Sequence, residues 1–255
     1  MERFVAFFRG LWGMGTTALW TLLCSIPIIL SAPFSPRGRL PYSLGRFWAW
    51  LILKSNGVRL ERQGAAHIRK DRSFVFISNH VSHLDSLAIA LCIPNTLRFV
   101  AKASLAKIPV FSQAARMARV IFIDRGDSSR SRKTLTTALA DLSEGISALF
   151  FAEGTRSTDG RLQALKKGGV ILALQTGLPI VPVAVLGSQR LMPKGQCHIK
   201  PGIVRVVLNR PIEVAGFSFN DRESLIERVR RVIQEHIEED LNRGADACAP
   251  AATDG

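Results

Sequence analysis

From about residue 70 onward, short apolar runs alternate with longer segments of helical period. The runs "SFVFIS" (73–78), "LRFVA" (97–101), "VIFID" (120–124), "ALFFA" (148–152), "PIVPVAV" (179–185) and "IVRVVLN" (203–209) are rich in β-branched and aromatic residues. Each is too short for a helix and predicts a strand. Helices are expected between them over Ser82–Cys92, Ser104–Met117, Ser129–Glu144 and roughly Gln163–Thr176. A last helix, about Asp221–Asn242, carries Leu225, Val229, Val232, Ile233, Ile237 and Leu241 on one stripe and charges opposite. Alternation of this kind predicts an α/β fold, a mostly parallel or mixed sheet covered by helices.

The N-terminal sixty residues follow another pattern. No charge interrupts residues 10–36, a stretch longer than the roughly 20 apolar residues that cross a bilayer as a helix. Gly13, Gly15 and Pro27 break its regularity, so a kinked or re-entrant hairpin in one leaflet fits as well as a span. A cleaved leader is disfavoured, because Leu30 and Pro33 around Ala32 make a poor processing site. "SLGRFWAWLILK" (43–54) sets Trp48 and Trp50 among aliphatics between Arg46 and Lys54, as interfacial helices do and core helices also can. The expected organisation is a membrane-associating helical segment over 1–60, an α/β domain over 61–243 and a disordered tail over 244–255.

Composition narrows the partner. Hydrophobic residues make up 47% of the 255, and the formal net charge is +14. An apolar and basic chain suits a phospholipid surface. Nucleic acid fits poorly, since the basic residues are scattered and a single tyrosine is available for base stacking. Cys24, Cys92, Cys197 and Cys248 show no CxxC spacing and read as reduced thiols, which places the globular part on the cytoplasmic side of a membrane, the inner membrane if the source is bacterial. Arg3 and Arg9 flank one end of the apolar run and Arg37 and Arg39 the other, so charge leaves its topology open.

Candidate chemistry falls where an α/β sheet collects it, beyond the carboxyl ends of strands. His80 follows the first expected strand, Lys102 the second, Arg125 the third, and Glu153 and Arg156 the fourth. "SNHVSHLD" (78–85) is the densest stretch. Ser82 and Asp85 have capping-box spacing, which starts a helix at His83 and lets Asp85 reach back to His80. A carboxylate on one imidazole nitrogen leaves the other free to accept a proton. A metal site at His80 and His83 lacks further ligands at recognisable spacing. Ser82 lacks the Gly-x-Ser-x-Gly elbow of a nucleophile and serves better as a cap. The octet alone leaves two readings open: a general base with its orienting acid, or a capped helix whose Asp85 never touches His80. "FAEGTRS" (151–157) gathers Glu153, Gly154 and Arg156 in one tight loop, and "LKKGG" (165–169) opens a helix with two lysines. Cations from several strand ends beside Gly-rich backbone suit a phosphate monoester.

In order, NH-x-S-x-x-D, "IPVF…IFIDR", "EGTRS" and "LPIVPVAV" resemble the glycerolipid acyltransferases, especially the 1-acylglycerol-3-phosphate O-acyltransferases, over about residues 74–186. That resemblance implies transfer of a fatty acyl group from acyl-CoA or acyl carrier protein to a glycerol hydroxyl, with no metal and no further cofactor. It implies His80 as base and Asp85 as its partner. Glu153, Gly154, Thr155 and Arg156, with Arg125, would bind the lysophospholipid acceptor, and Lys102 and Lys166 are added as substrate-binding candidates. Backbone N–H groups at the start of the 83–92 helix are the expected oxyanion donors. Ala152 stands where the family commonly has proline, and Ser112 and Ala118 or Arg119 where glycine is usual. These departures keep other acceptors open, namely glycerol-3-phosphate or another lysolipid such as a lyso-ornithine lipid. A non-catalytic basic membrane-binding protein is the rival from outside the enzymes.

Overall fold

Each of the six apolar runs forms a strand, and a seventh precedes them. The computed structural model of the chain describes residues 2–123, 142–157, 160–196 and 198–246. Its strands are β1 (Val58–Gln63), β2 (Val75–Ser78), β3 (Thr96–Lys102), β4 (Ile121–Ile123), β5 (Ile146–Phe151), β6 (Ile180–Leu186) and β7 (Gly202–Leu208). They make one sheet in the order β1-β7-β6-β2-β5-β3-β4. β6, β2, β5, β3 and β4 run parallel, while β7 is antiparallel to β6 and carries β1 alongside it. The sheet is therefore mixed, with a parallel centre. Its helices are α1 (Glu2–Ser31), α2 (Arg39–Ser55), α3 (Leu84–Cys92), α4 (Phe111–Met117), α5 (Gly168–Thr176), α6 (Ser188–Leu191) and α7 (Arg222–Asp246).

Period-2 alternation along the buried strands separates two cores. Val75, Ile77 and Phe150 pack with Val170 and Ala173 of α5 and with Leu225, Val229 and Ile233 of α7. On the opposite face, Phe74, Phe76 and Leu149 pack with Leu84, Ala88 and Ile89 of α3 and Leu53 of α2. β2 and β6 are buried along their whole length, as strands covered on both faces must be.

α1 runs unbroken through Gly13, Gly15 and Pro27, and α2 folds back along it as a hairpin. Polar groups knit the pair. Trp12 Nε1 donates to Ser55 O (2.9 Å), Trp20 Nε1 to Ser55 Oγ (2.8 Å) and Trp48 Nε1 to Thr21 Oγ1 (3.1 Å). Guanidiniums fasten the connecting turn, with Arg98 donating to Arg37 O and Arg119 to Pro36 O, both at 2.6 Å. Cys24 and Ile28 pack on Ala114 of α4. The outward side of α1 exposes Phe4, Phe7, Phe8, Leu11, Leu19, Leu22, Ile26 and Leu30, an apolar stripe at helical spacing.

The structure departs from the sequence reading in several places. β1 was hidden because Arg59, Glu61 and Arg62 mask an edge strand. The helix expected over Ser104–Met117 is a 3₁₀ turn (Ala103–Lys107) followed by α4, divided where Pro109 lacks an N–H and Val110 has φ of 63°. α5 starts at Gly168 rather than near Gln163. α7 continues through Asp246, three residues into the expected tail. Arg119 takes the left-handed conformation (φ 61°) that favours glycine. Arg125, most of the helix expected over Ser129–Glu144 and residues 247–255 lie outside the described residues.

Candidate active site

At the carboxyl end of β2 the chain leaves the sheet, and side chains replace the ladder. Asn79 Nδ2 donates to Val185 O (2.9 Å), and Val185 N–H donates to Asn79 Oδ1 (2.8 Å). The amide thus extends the β2–β6 pairing by one step and fixes where His80 begins. The loop after β5 then grips the His80 backbone from both sides. His80 N–H donates to Glu153 Oε1 (2.7 Å), and Ser157 N–H donates to His80 O (2.8 Å). Below the imidazole lies Phe151, stacked at 4.0 Å between centroids.

His80 Nδ1 lies 2.8 Å from Asp85 Oδ2. The same oxygen accepts the Val81 N–H (2.7 Å) and the Ser82 N–H (2.8 Å), so Asp85 caps the turn and holds the histidine at once. Its other oxygen, Oδ1, accepts the Ser188 hydroxyl at 2.5 Å. The Asp85 side chain is fully buried, whereas His80 keeps 17% of its side chain exposed. α3 begins at Leu84, one residue later than the capping-box spacing suggests. Ser82 Oγ donates to Met192 O (2.8 Å) and accepts the Leu84 N–H (3.3 Å), which occupies it as a structural hydroxyl. Of the N–H groups at the start of the helix, those of Leu84 and Asp85 turn back on Ser82, while those of Val81 and Ser82 in the turn before it bond Asp85.

Glu153 is buried, with both oxygens on backbone: Oε1 accepts from His80 and Oε2 from Gln163 N–H (3.1 Å). Burial pushes its carboxyl above the usual range, and the two backbone donors pull it partly back. Gly154 has φ of 73°, and a Cβ there would stand 2.6 Å from Lys166 Cε, so the lysine lies directly over the loop. Ala152 N–H donates to Ser78 O (3.1 Å), continuing the β5–β2 ladder with a bond that proline at this position cannot make.

Beside the imidazole opens a cavity of about 500 Å³. His83 and one face of α3 (Ser86, Leu87 and Ala90) line it, together with Trp48, Phe99 and Phe111. His80, Lys102, Thr155, Arg156 and Lys194 line it too. Arg156 Nη1 is buried without a hydrogen-bond partner among the described residues. Burial first, and then the charge of Arg156, hold the His83 imidazole below its ordinary range, which favours its neutral form. Of the candidates named from sequence, His80, Asp85, Glu153, Gly154, Thr155, Arg156 and Lys166 are brought together, and Lys102 lines the same cavity. Sequence reading missed Ser188 and Lys194, whose Nζ donates to Arg156 O (2.8 Å). The Gly-Ser pair straight after a buried strand, at the edge where the other groups gather, was the available signal for the first.

A carboxylate-held imidazole on an apolar cavity, ringed by cations, is equipped to take a proton from an alcohol beside an acyl chain. Comparison with known proteins identifies relatives of the chain. A 1-acyl-sn-glycerol-3-phosphate acyltransferase of Limnanthes alba is 30% identical over 85% of this chain and 76% of its own. The chloroplastic 1-acyl-sn-glycerol-3-phosphate acyltransferase BAT2 of Brassica napus is 33% identical over 69% of this chain, and the match spans about half (51%) of that relative's length. The crystal structure of the 1-acyl-sn-glycerophosphate acyltransferase PlsC from Thermotoga maritima superposes with a TM-score of 0.81 and 26% identity, covering 94% of this chain and 97% of that one. Residues 59–186 match the Acyltransferase family, and the chain belongs to it.

Proposed function

We propose that this protein transfers a fatty acyl group from acyl-CoA or acyl carrier protein to the free hydroxyl of 1-acylglycerol-3-phosphate, yielding phosphatidate, with His80 as general base. The observation that carries this reading is the 2.8 Å contact between His80 Nδ1 and Asp85 Oδ2 beside an apolar cavity of about 500 Å³. The relatives from Limnanthes alba and Brassica napus act, by their names, on 1-acyl-sn-glycerol-3-phosphate, which supports the choice of acceptor.

A glycerol hydroxyl is too weak an acid to ionise at neutral pH, so its proton must leave as it attacks. Nδ1–H donates to Asp85, and Nε2 takes that proton while the oxygen bonds to the thioester carbonyl carbon. The tetrahedral oxyanion then collapses, the C–S bond breaks, and the departing thiolate takes the proton from Nε2. Positioned general-base catalysis contributes roughly 10²–10⁴-fold. Holding two substrates in register contributes up to about 7–11 kcal/mol. Asp85 fixes the tautomer and stabilises the imidazolium. Glu153 positions His80 through its backbone, while Arg156, Lys102, Lys166 and Lys194, with Arg125, take the acceptor phosphate. The apolar wall along α3 takes an acyl chain.

The hairpin of α1 and α2 supplies the membrane contact. α1 packs lengthwise on α2 and α4, and its exposed stripe enters one leaflet with the cytoplasm on the side of the sheet. The test is purified protein with lysophosphatidate and acyl-CoA, reading free thiol and phosphatidate together. Equimolar appearance of both is expected. Absence of thiol release with acyl-CoA and with acyl carrier protein overturns the proposal, and faster turnover of a lyso-ornithine lipid or glycerol-3-phosphate reassigns the acceptor.

A further inference from the structure

Three of the four hydrogen bonds that Asp85 accepts come from its own turn, residues 80–82, and all three meet Oδ2. Oδ1 meets a group from elsewhere, the hydroxyl of Ser188, 103 residues along the chain. We propose that Ser188 is a positioning residue of the acyl transfer, setting the Asp85 carboxylate so that Oδ2 faces the His80 ring. This rests on the general-base reading above.

The local fold is built to deliver that hydroxyl. β6 ends at Leu186, and Gly187, at φ 81°, turns the chain sharply. A Cβ at Gly187 would meet Ile203 O at 2.8 Å, so the turn admits glycine alone. Ser188 then opens α6 with no exposure to solvent. The segment that follows is tied to the catalytic turn and to the loop after β5. Met192 O accepts from Ser82 Oγ, and Lys194 Nζ donates to Arg156 O. Register between β6 and the turn is set by the two bonds between Asn79 and Val185. Ser188 is thus held in place by the chain on both sides of it, and its hydrogen bond to the Asp85 carboxylate is short, at 2.5 Å.

What the bond does follows from carboxylate geometry. With only Oδ2 engaged, the group could rock about χ2, which is a soft torsion. Movement of Oδ2 loosens its hold on Nδ1 and lets the imidazole swing away from the hydroxyl it must deprotonate. Pinning Oδ1 removes that freedom. Ser188 touches neither substrate in this scheme, so its loss acts on turnover and leaves binding alone.

The experiment compares Ser188→Ala, Ser188→Thr and His80→Ala with the parent, measuring kcat and both KM values with lysophosphatidate and acyl-CoA. Ser188→Ala is expected to lower kcat about 10–50-fold with both KM values within twofold, because a misaligned base loses part of the roughly 10²–10⁴ it supplies. Ser188→Thr, which keeps the hydroxyl, is expected to stay within about threefold of the parent. Should Ser188→Ala not fold, Ser188→Cys replaces it, since a thiol fills the site, with a somewhat larger atom, but donates weakly, and the same fall in kcat is expected. Parental kcat in Ser188→Ala or Ser188→Cys overturns the proposal. So does a threonine variant as slow as alanine, which makes packing the cause. If His80→Ala itself turns over at the parental rate, the general-base reading fails; if only the Ser188 variants do, that reading stands and Ser188 has no part in it.

Discussion

Replacing Asp85 with asparagine separates its catalytic work from its structural work. The amide oxygen takes the place of Oδ2, where His80, the Val81 N–H and the Ser82 N–H converge. The amide NH₂ then faces Ser188, whose hydroxyl accepts as readily as it donates. All four contacts keep a partner, so the variant is expected to fold. What disappears is the negative charge beside an imidazole that becomes cationic in the transition state. An Asp→Asn change behind a catalytic histidine, which removes the charge and the hold on the tautomer together, lowers kcat by up to about 10⁴-fold. A fall of roughly 10²–10⁴-fold is expected, equal to about 3–5 kcal/mol at 1.36 kcal/mol per decade. Asp85→Ala, by contrast, leaves two buried N–H groups and the Ser188 hydroxyl without an acceptor. At about 1–3 kcal/mol each, that is roughly 3–9 kcal/mol, against a total stability of about 5–15 kcal/mol for a typical domain. The assay is kcat by thiol release alongside the urea midpoint. A folded Asp85→Asn protein within threefold of the parental kcat refutes the catalytic role, and an Asp85→Ala protein with an unshifted midpoint refutes the hydrogen-bond account.

Arg156→Ala removes a guanidinium whose Nη1 is buried without a hydrogen-bond partner among the described residues, so acceptor KM should rise about 10–100-fold with kcat within threefold; a kcat loss at unchanged KM contradicts phosphate binding. His83 is depressed by burial and by Arg156, so the fold favours its neutral form. The stability this contributes is complete above about pH 6.5 and is lost as pH falls through the depressed value. The stability advantage of the parent over His83→Gln, from urea titrations between pH 7.5 and 5, should therefore shrink on acidification, and a constant difference contradicts the assignment. Phe8→Glu combined with Leu22→Glu charges the exposed stripe of α1. Phospholipid-vesicle binding should fall at least about 100-fold, since each apolar side chain is worth about 1.5–3 kcal/mol, while turnover of detergent-dispersed substrate holds within twofold. Undiminished vesicle binding places the membrane contact elsewhere.

Much of the fold was legible because its central strands are continuous apolar runs that cannot be exposed. β2, β5 and β6 are of this type, and the periodic stripe of α7 is as clear. β1 was not, since an edge strand carrying Arg59, Glu61 and Arg62 has the composition of a loop. The break at Pro109–Val110 was missed because the helical period continues across it. Within the site, His80 and Asp85 are five residues apart in one loop-to-helix turn, and local geometry allowed their contact as one of the two readings left open, which the 2.8 Å distance decides. Ser188 meets the same turn from 103 residues away, through the crossing of β6 beside β2, and Lys194 meets Arg156 in the loop after β5, pairings that no local pattern encodes. Glu153 was visible as a carboxylate, but only tertiary contacts reveal that its oxygens serve backbone N–H groups.

The most direct test of the account is acyl transfer by His80→Ala, since the ring beyond Cβ is all that this change removes. With lysophosphatidate in detergent micelles and acyl-CoA as donor, thiol release is expected to fall at least about 10²–10³-fold while the urea midpoint holds. Release at the parental rate from the folded variant contradicts the claim that this imidazole takes the proton from the lipid hydroxyl.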